Sequence, residues 1–218
     1  MTAFSGLSFA VPRGAMFKDT LDVLDALGID TTVVREQDRR LYFPELGIIT
    51  MRPSDVPTYV ESGAAALGIT GKDVLLEQPG RRVVELADLH YAGARMILAT
   101  LDGVDPTLEQ QRRLGRVRVA TKYIRTATDY FQATGRQAEI VEVKGSVELA
   151  PLTGMVDAIV DLTATGSTLK ANGLVEREEI FTTTARLIAN PVASSLHAGV
   201  IDDIARRLRD VTGRGSAA

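Results

Sequence analysis

A chain of 218 residues is long enough for one large domain or two small lobes, each burying a core of its own. Its composition, 45% hydrophobic, 24% charged and 5% aromatic with a formal charge of -3, fits a soluble globular α/β protein and argues against a nucleic-acid surface, which needs clustered cations and stacking rings. The absence of cysteine excludes disulfides, thiolate zinc sites and cysteine nucleophiles, and permits a reducing compartment.

The opening run MTAFSGLSFAVPRGAMF has no basic start and is interrupted by Pro12-Arg13-Gly14, so it reads poorly as a secretory leader. No apolar stretch approaches the ~20 residues of a membrane span, and a cytosolic location is expected. Residues 7–11 predict a short buried strand. Phe17, Leu21, Leu24 and Leu27 then recur at helical spacing, with Gly28 placed to end the helix. Short strands are predicted over 32–35, 41–43 and 47–51. Ser54 reads as the N-cap of a helix over 55–62, where Pro57 is tolerated in the first turn.

The run 66–70 predicts another strand, ending at Gly71-Lys72-Asp73, with Asp73 capping a helix that holds Val74, Leu75 and Leu76. Strands over 83–86 and 95–100 follow, then a turn over 102–106 and a polar helix around 109–113. Beyond it, strands are predicted over 117–121, 140–143, 158–162 and 186–189, and helices near 126–133, 147–152 and 167–171. Leu196, Val200, Ile204 and Leu208 form the apolar stripe of a last helix, which His197 begins, and the tail GRGSAA is expected to be loose.

Strands alternating with helices predict a mainly parallel sheet covered on both faces. The chain is long for one such sheet, and polar breaks fall near 90 and 180. Two α/β lobes are therefore expected, 1–92 with 185–218 as lobe I and 93–184 as lobe II, joined by two crossovers around a ligand cleft. Open α/β sheets bind ligands at the carboxyl ends of their strands.

The stretch 156–174, VDAIVDLTATGSTLKANGL, carries the most chemical information. It reads as a buried strand ending in Asp161, a Thr/Gly/Ser loop over 163–168, and a helical turn. Such a loop offers N–H groups and hydroxyls to an anion at a helix start, and the acid before it suits a sugar diol or a magnesium ion. A phosphorylated sugar with a metal is the ligand these groups suggest; a strand-to-helix connection with no ligand is the plain alternative. The loop lacks the Gly-Lys-Ser/Thr ending of a Walker A motif and the spacing of a dinucleotide fingerprint.

Arg52 follows the run 47–51 and would emerge at a strand end, where a guanidinium can hold a phosphate by paired hydrogen bonds. Lys72 repeats that position after Gly71, and Arg13 repeats it after the first strand. Each alone reads as a solvated surface cation; together they are harder to dismiss. Gly145-Ser146-Val147-Glu148 is a second small-residue turn, in which Glu148 either binds a ribose hydroxyl or reaches back to cap its helix. His90 and His197 read as structural. No metalloprotease pair, Gly-x-Ser-x-Gly elbow or thiol triad is present.

The segments AVPRGAMF, MRPSDVPTYVESGAAALGITGKDVLLE, RVATKY, VKGSVELAPLTGMVDAIVDLTATGSTLKANGLVE and TARLIAN together resemble one family, the ATP phosphoribosyltransferases of histidine biosynthesis. They occur in the family's order and span about residues 7 to 190. The resemblance implies condensation of ATP with 5-phosphoribosyl 1-pyrophosphate, giving phosphoribosyl-ATP and pyrophosphate, on a two-lobed periplasmic-binding-protein-like fold. It also implies Mg2+, carried mainly by substrate, with no fixed protein site and Asp161 as a candidate contact.

As the chain ends soon after its last helix, it resembles the short form. That form works with a histidyl-tRNA-synthetase-like regulatory subunit in a hetero-octamer, on which feedback inhibition by histidine depends; a homodimer of the catalytic chain is expected. Mapped onto these residues, Arg52 and Asp161 carry catalysis. Glu148, Thr163, Ala164, Thr165, Gly166, Ser167 and Thr168 bind the phosphoribosyl group. Arg13, Arg35, Gly71 and Lys72 are further candidates for phosphate or nucleotide contacts. The family's opening turn usually reads Pro-Lys-Gly-Arg, whereas this chain has Pro12-Arg13-Gly14-Ala15, so its second cation is missing.

Two rival readings have sequence features that separate them. A solute receptor of the same fold would need the leader that the N-terminus does not resemble. A phosphoribosyltransferase of the other common fold usually places two adjacent acids before its loop, whereas Leu162 follows Asp161 here.

Overall fold

The computed structural model describes residues 6–103 and 105–213 and divides them into two compact units, 1–92 with 184–218 and 93–183. The first unit contains β1 (Phe9–Pro12), α1 (Phe17–Ala26), α2 (Thr32–Glu36), β2 (Tyr42–Phe43) and β3 (Ile48–Met51). It continues through α3 (Val56–Glu61), β4 (Leu67–Gly71), α4 (Lys72–Glu77) and β5 (Val84–Asp88). The second unit holds β6 (Ala94–Leu101), α5 (Pro106–Leu114), β7 (Val117–Thr121), α6 (Ile124–Ala133) and β8 (Ala138–Glu142). After these come α7 (Leu149–Leu152), β9 (Ala158–Thr163), α8 (Ser167–Ala171) and β10 (Leu174–Thr183). The chain then returns to the first unit with β11 (Ala185–Ala189), α9 (Pro191–Leu196) and α10 (Ala198–Gly213).

The first unit is a sheet of order β2-β3-β1-β4-β11-β5. β1 is buried along its whole length and runs parallel to both neighbours, Phe9 facing Ile48 on one side and Leu67 on the other. Alternation of side chains sends Phe9, Val11, Leu67 and Ile69 to one face, where Leu21 and Leu24 of α1 and Ile201, Ile204 and Leu208 of α10 cover them. Ala10 and Ile188 point to the other face, against Val56 and Val60 of α3. Gly68 permits that approach, because a Cβ there would lie 2.7 Å from Val56 Cγ1 and 2.8 Å from Val60 Cγ2. Gly68→Ala should therefore lower stability by about 1–3 kcal/mol through overpacking, read as a reduced urea midpoint with an unchanged slope. Asn190 caps α9 and ties it to α3, its Oδ1 accepting from Val192 and Ala193 N–H while its Nδ2 donates to the carbonyls of Val60 and Glu61.

The second unit is a sheet of order β10-β6-β9-β7-β8. Met96, Val119, Ala158 and Val160 face α6, which contributes Ala127 and Phe131. Ile97, Ala120 and Ile159 face the opposite way, toward Val147, Ala150 and Leu169 around α7 and α8. Two residues beyond Ile159, Asp161 belongs to that second face.

Several expectations need correction. The sheets are mixed: parallel pairing joins β3, β1 and β4, and again β9, β7 and β8, but the remaining pairs are antiparallel. Residues 32–35 are helical, not a strand. Asp30 accepts the Thr32 N–H at 3.0 Å and Asp25 accepts both the N–H and the hydroxyl of Thr31, so local carboxylates override the β-branched preference. Ser54 caps nothing; it bonds Asp55 at 3.4 Å inside a 3-10 turn that precedes α3. Gly71, not Asp73, holds the N-cap position of α4, and Asp73 is buried in the first turn. His197 closes α9 and also opens the last helix, as expected, its carbonyl accepting the Val200 and Ile201 N–H groups at 3.0 Å. The expectation for the tail falls on 214–218 and part of the turn over 102–106 falls on 104, outside the described residues.

Candidate active site

At the end of β9 the chain builds an open concavity of about 190 Å3, lined by Glu148, Asp161, Leu162, Thr163, Ala164, Thr165, Ser167, Thr168 and Leu169. The sequence-predicted loop residues other than Gly166 and both predicted acids of this unit thus meet at one place. Gly166 lies at the N-cap of α8 with φ +74, a left-handed conformation that glycine adopts freely and that turns the chain into the helix. Its N–H donates to Thr163 Oγ1 at 2.9 Å, which closes the loop on itself. Thr165 and Ser167 share a hydroxyl bond of 3.0 Å, and the Ser167 N–H reaches Thr165 Oγ1 at 3.3 Å. These exposed bonds between small groups are readily exchanged for bonds to an anion's oxygens.

Asp161 is only 17% exposed at its side chain, and burial holds its carboxyl above the ordinary value against the opposing pull of Lys122 and the Leu162 N–H. Glu148, across the concavity, adds to the rise. The other shifted carboxyls of the described residues, among them Asp25, Asp88 and Glu178, lie below their ordinary values. A buried acid pushed the opposite way in a concave site is the pattern of a functional group. Glu148 stands at the N-cap of α7, yet its side chain makes no capping bond, so the capping alternative is not what the structure adopts.

Lys122 was not singled out from the sequence. It lies just past β7 with Nζ 3.8 Å from Asp161 Oδ1. The signal that marked Arg13, Arg52 and Lys72, a cation immediately after a buried strand, applies equally to Val117–Thr121.

Arg13, Arg52 and Gly71-Lys72 belong to the first unit. Arg13, Arg52 and Lys72 follow β1, β3 and β4, adjacent parallel strands of which Gly71 ends the last, and so lie along one edge of that sheet. Their surroundings differ. Arg13 is paired with Asp38, bonds Thr50 Oγ1 at 3.1 Å and sits over the Phe17 ring. Lys72 holds Glu85 at 2.6 Å. The Asp73 carboxylate occupies the space that a Cβ on Gly71 would take. Arg52 is exposed, and its guanidinium has no partner among the described residues. Arg35 is not on this edge: it lies in α2 and binds Asp22 and Asp25 at 2.8 and 2.6 Å, joining α2 to α1.

No group of three or more His, Cys, Asp or Glu side chains among the described residues is arranged to hold a metal. Asp161 and Glu148 are nevertheless hard oxygen donors on one concavity. One or two carboxylates completed by a substrate's phosphates form the donor set magnesium favours, so these residues fit an ion that arrives with substrate. No helix among the described residues is long and apolar enough to cross a membrane.

Comparison with known proteins adds an independent observation. The family model described as HisG, ATP phosphoribosyltransferase, matches residues 52–210. The chain is 48% identical over 217 residues to an ATP phosphoribosyltransferase of Rubrobacter xylanophilus, covering 95% of this chain and 99% of that one. It is 44% identical over 202 residues to one from Burkholderia orbicola, covering 91% and 93%. Among solved structures it resembles a chain of the "ATP phosphoribosyl transferase (HisG:HisZ) complex from Thermotoga maritima" with TM-score 0.76 and 30% identity, covering 96% and 99%. A likeness of fold alone extends to the periplasmic aliphatic sulphonate binding protein SsuA of Escherichia coli, with TM-score 0.60 and 12% identity over 94% of this chain and 72% of that one. Arg52, Lys72, Glu148 and the loop after Asp161 lie inside the stretch that the family model matches, whereas Arg13 and Arg35 precede it.

Proposed function

The chain belongs to the ATP phosphoribosyltransferase family, and from that premise we propose how its residues divide the reaction. The enzyme joins ATP to 5-phosphoribosyl 1-pyrophosphate and releases pyrophosphate. Adenine N1 carries a free lone pair, so its attack on the anomeric carbon requires no prior deprotonation. The barrier lies in departure of pyrophosphate from a carbon that becomes cation-like. Positioning and electrostatics are then the main resources, and a site without a central histidine is chemically sufficient.

In this reading Thr165, Gly166, Ser167 and Thr168 hold the 5-phosphate, with Thr163 and Ala164 shaping the loop. Asp161 binds the ribose hydroxyls and Glu148 assists beside them. The observation that carries the assignment is their convergence on one concavity. Its size is below the ~300–1,000 Å3 of a complete small-molecule pocket, which suits one end of one substrate. Arg52, exposed and without a partner among the described residues, stabilises the departing pyrophosphate; Arg13, Gly71 and Lys72 serve as weaker phosphate or nucleotide contacts. Mg2+ bound with the diphosphate supplies charge neutralisation there.

We also propose that the chain is the catalytic subunit of a short-form enzyme in the cytoplasm, as a homodimer that joins a histidyl-tRNA-synthetase-like partner in a hetero-octamer. Support comes from the Thermotoga maritima relative, a chain of a HisG:HisZ complex. A pyrophosphate-release assay with both substrates, run with and without that partner, tests the reading. Turnover should require both substrates and become sensitive to histidine only with the partner. Release of pyrophosphate without ATP, or histidine inhibition of the isolated chain, would contradict it.

A further inference from the structure

We propose that Lys122 is a positioning residue for Asp161, holding one carboxylate oxygen so that the other is presented to the ribose hydroxyls. The inference rests on the assignment of Asp161 to the sugar. β7 and β9 are parallel neighbours in which Val119 faces Ala158 and Ala120 faces Ile159. Continued by two residues, that register sets Lys122 opposite Asp161, so their meeting is a consequence of strand pairing. The turn is fixed from both sides: the Tyr123 N–H donates to Thr121 Oγ1 at 2.8 Å, and the Lys122 ammonium lies 5.0 Å from the centre of the buried Tyr123 ring.

The contacts of Asp161 are asymmetric. Oδ1 accepts the Leu162 N–H at 2.8 Å and faces Lys122 Nζ at 3.8 Å. Oδ2 has no partner among the described residues, which leaves it available to a hydroxyl. The separation of 3.8 Å is that of an ion pair, longer than a hydrogen bond. Lys122 therefore acts on Oδ1 through its charge, unlike Lys72, which is bound to Glu85 at 2.6 Å. Lys122 also opposes what burial and Glu148 do to this carboxyl, favouring its charged, hydrogen-bond-accepting form. An ordinary surface pair would contribute little to the fold. This one joins a 46% exposed lysine to a 17% exposed acid at the mouth of the concavity, where its orientation bears on ligand binding.

The test measures KM for phosphoribosyl pyrophosphate and for ATP, and kcat, in the complete enzyme carrying Lys122→Ala, Lys122→Arg, Asp161→Asn and the Ala/Asn double substitution. Lys122→Ala should raise KM for phosphoribosyl pyrophosphate about tenfold and leave KM for ATP unchanged. Lys122→Arg should recover most of the loss. The double variant should be no worse than Asp161→Asn, because Lys122 acts through that carboxylate. An unchanged KM in Lys122→Ala, an equal loss for both substrates, or a purely additive double variant would overturn the proposal. These outcomes leave the sugar site standing as long as Asp161→Asn is impaired. An unimpaired Asp161→Asn would remove the site assignment itself, and the role of Lys122 with it.

Discussion

Asp161→Asn should weaken phosphoribosyl pyrophosphate binding by about 10- to 100-fold, the loss expected when a charge-assisted hydrogen bond to a sugar hydroxyl becomes a neutral one. The same substitution should raise the unfolding midpoint of the ligand-free protein. Asp161 is largely buried and its carboxyl lies above the ordinary value. A carboxyl that holds its proton more tightly when folded than when unfolded makes the ionised fold less stable at neutral pH, and the deficit fades as pH falls through the folded-state value. An amide of the same shape removes that deficit and can still accept the Leu162 N–H. A gain of ~1 kcal/mol would lift the midpoint by roughly 2–4 °C. Calorimetry and thermal unfolding on one preparation read both effects. Loss of affinity together with a lowered midpoint would mark Asp161 as a residue that supports the fold.

Arg52→Ala should act on the rate of chemistry. A cation that meets charge developing on a leaving pyrophosphate contributes more in the transition state than in the ground state. A drop in the single-turnover rate of about 100- to 1,000-fold is expected, with a much smaller change in substrate affinity. Because Arg52 is exposed and its guanidinium has no partner among the described residues, stability should stay within about 0.5 kcal/mol of the parent. Arg52→Lys should restore only part of the rate, since an ammonium lacks the planar fork. An unchanged single-turnover rate in Arg52→Ala would remove the residue from catalysis.

The buried strands were legible because their apolar runs are short, uninterrupted and closed by Gly, Pro or a charge. Val117–Thr121 coincides with its predicted bounds, and Ala158–Thr163 extends one residue further. β10 escaped for a physical reason. Its pairing with β6 shifts register between Glu176 and Glu178 and again between Glu179 and Phe181, which destroys the period of two. Its charges are also satisfied at a distance in sequence: Arg136 and the Tyr130 hydroxyl both bond Glu178. The loop after Asp161 could be read because strand, turn and helix follow one another along the chain. Lys122 could not be joined to it, because the pair is made by register between strands 39 residues apart. The commitments of Arg35 to Asp22 and Asp25, and of Lys72 to Glu85, were hidden because each joins two elements that meet only in the folded chain. Spacing finds cations at strand ends, and only the folded chain tells a free one from a paired one.

A crystal structure of the chain with phosphoribosyl pyrophosphate and magnesium tests the central assignment most directly. The 5-phosphate should sit against Thr165–Thr168 with the ribose hydroxyls on Asp161. Density for the sugar phosphate at any other place, with that loop bearing only solvent, would contradict it.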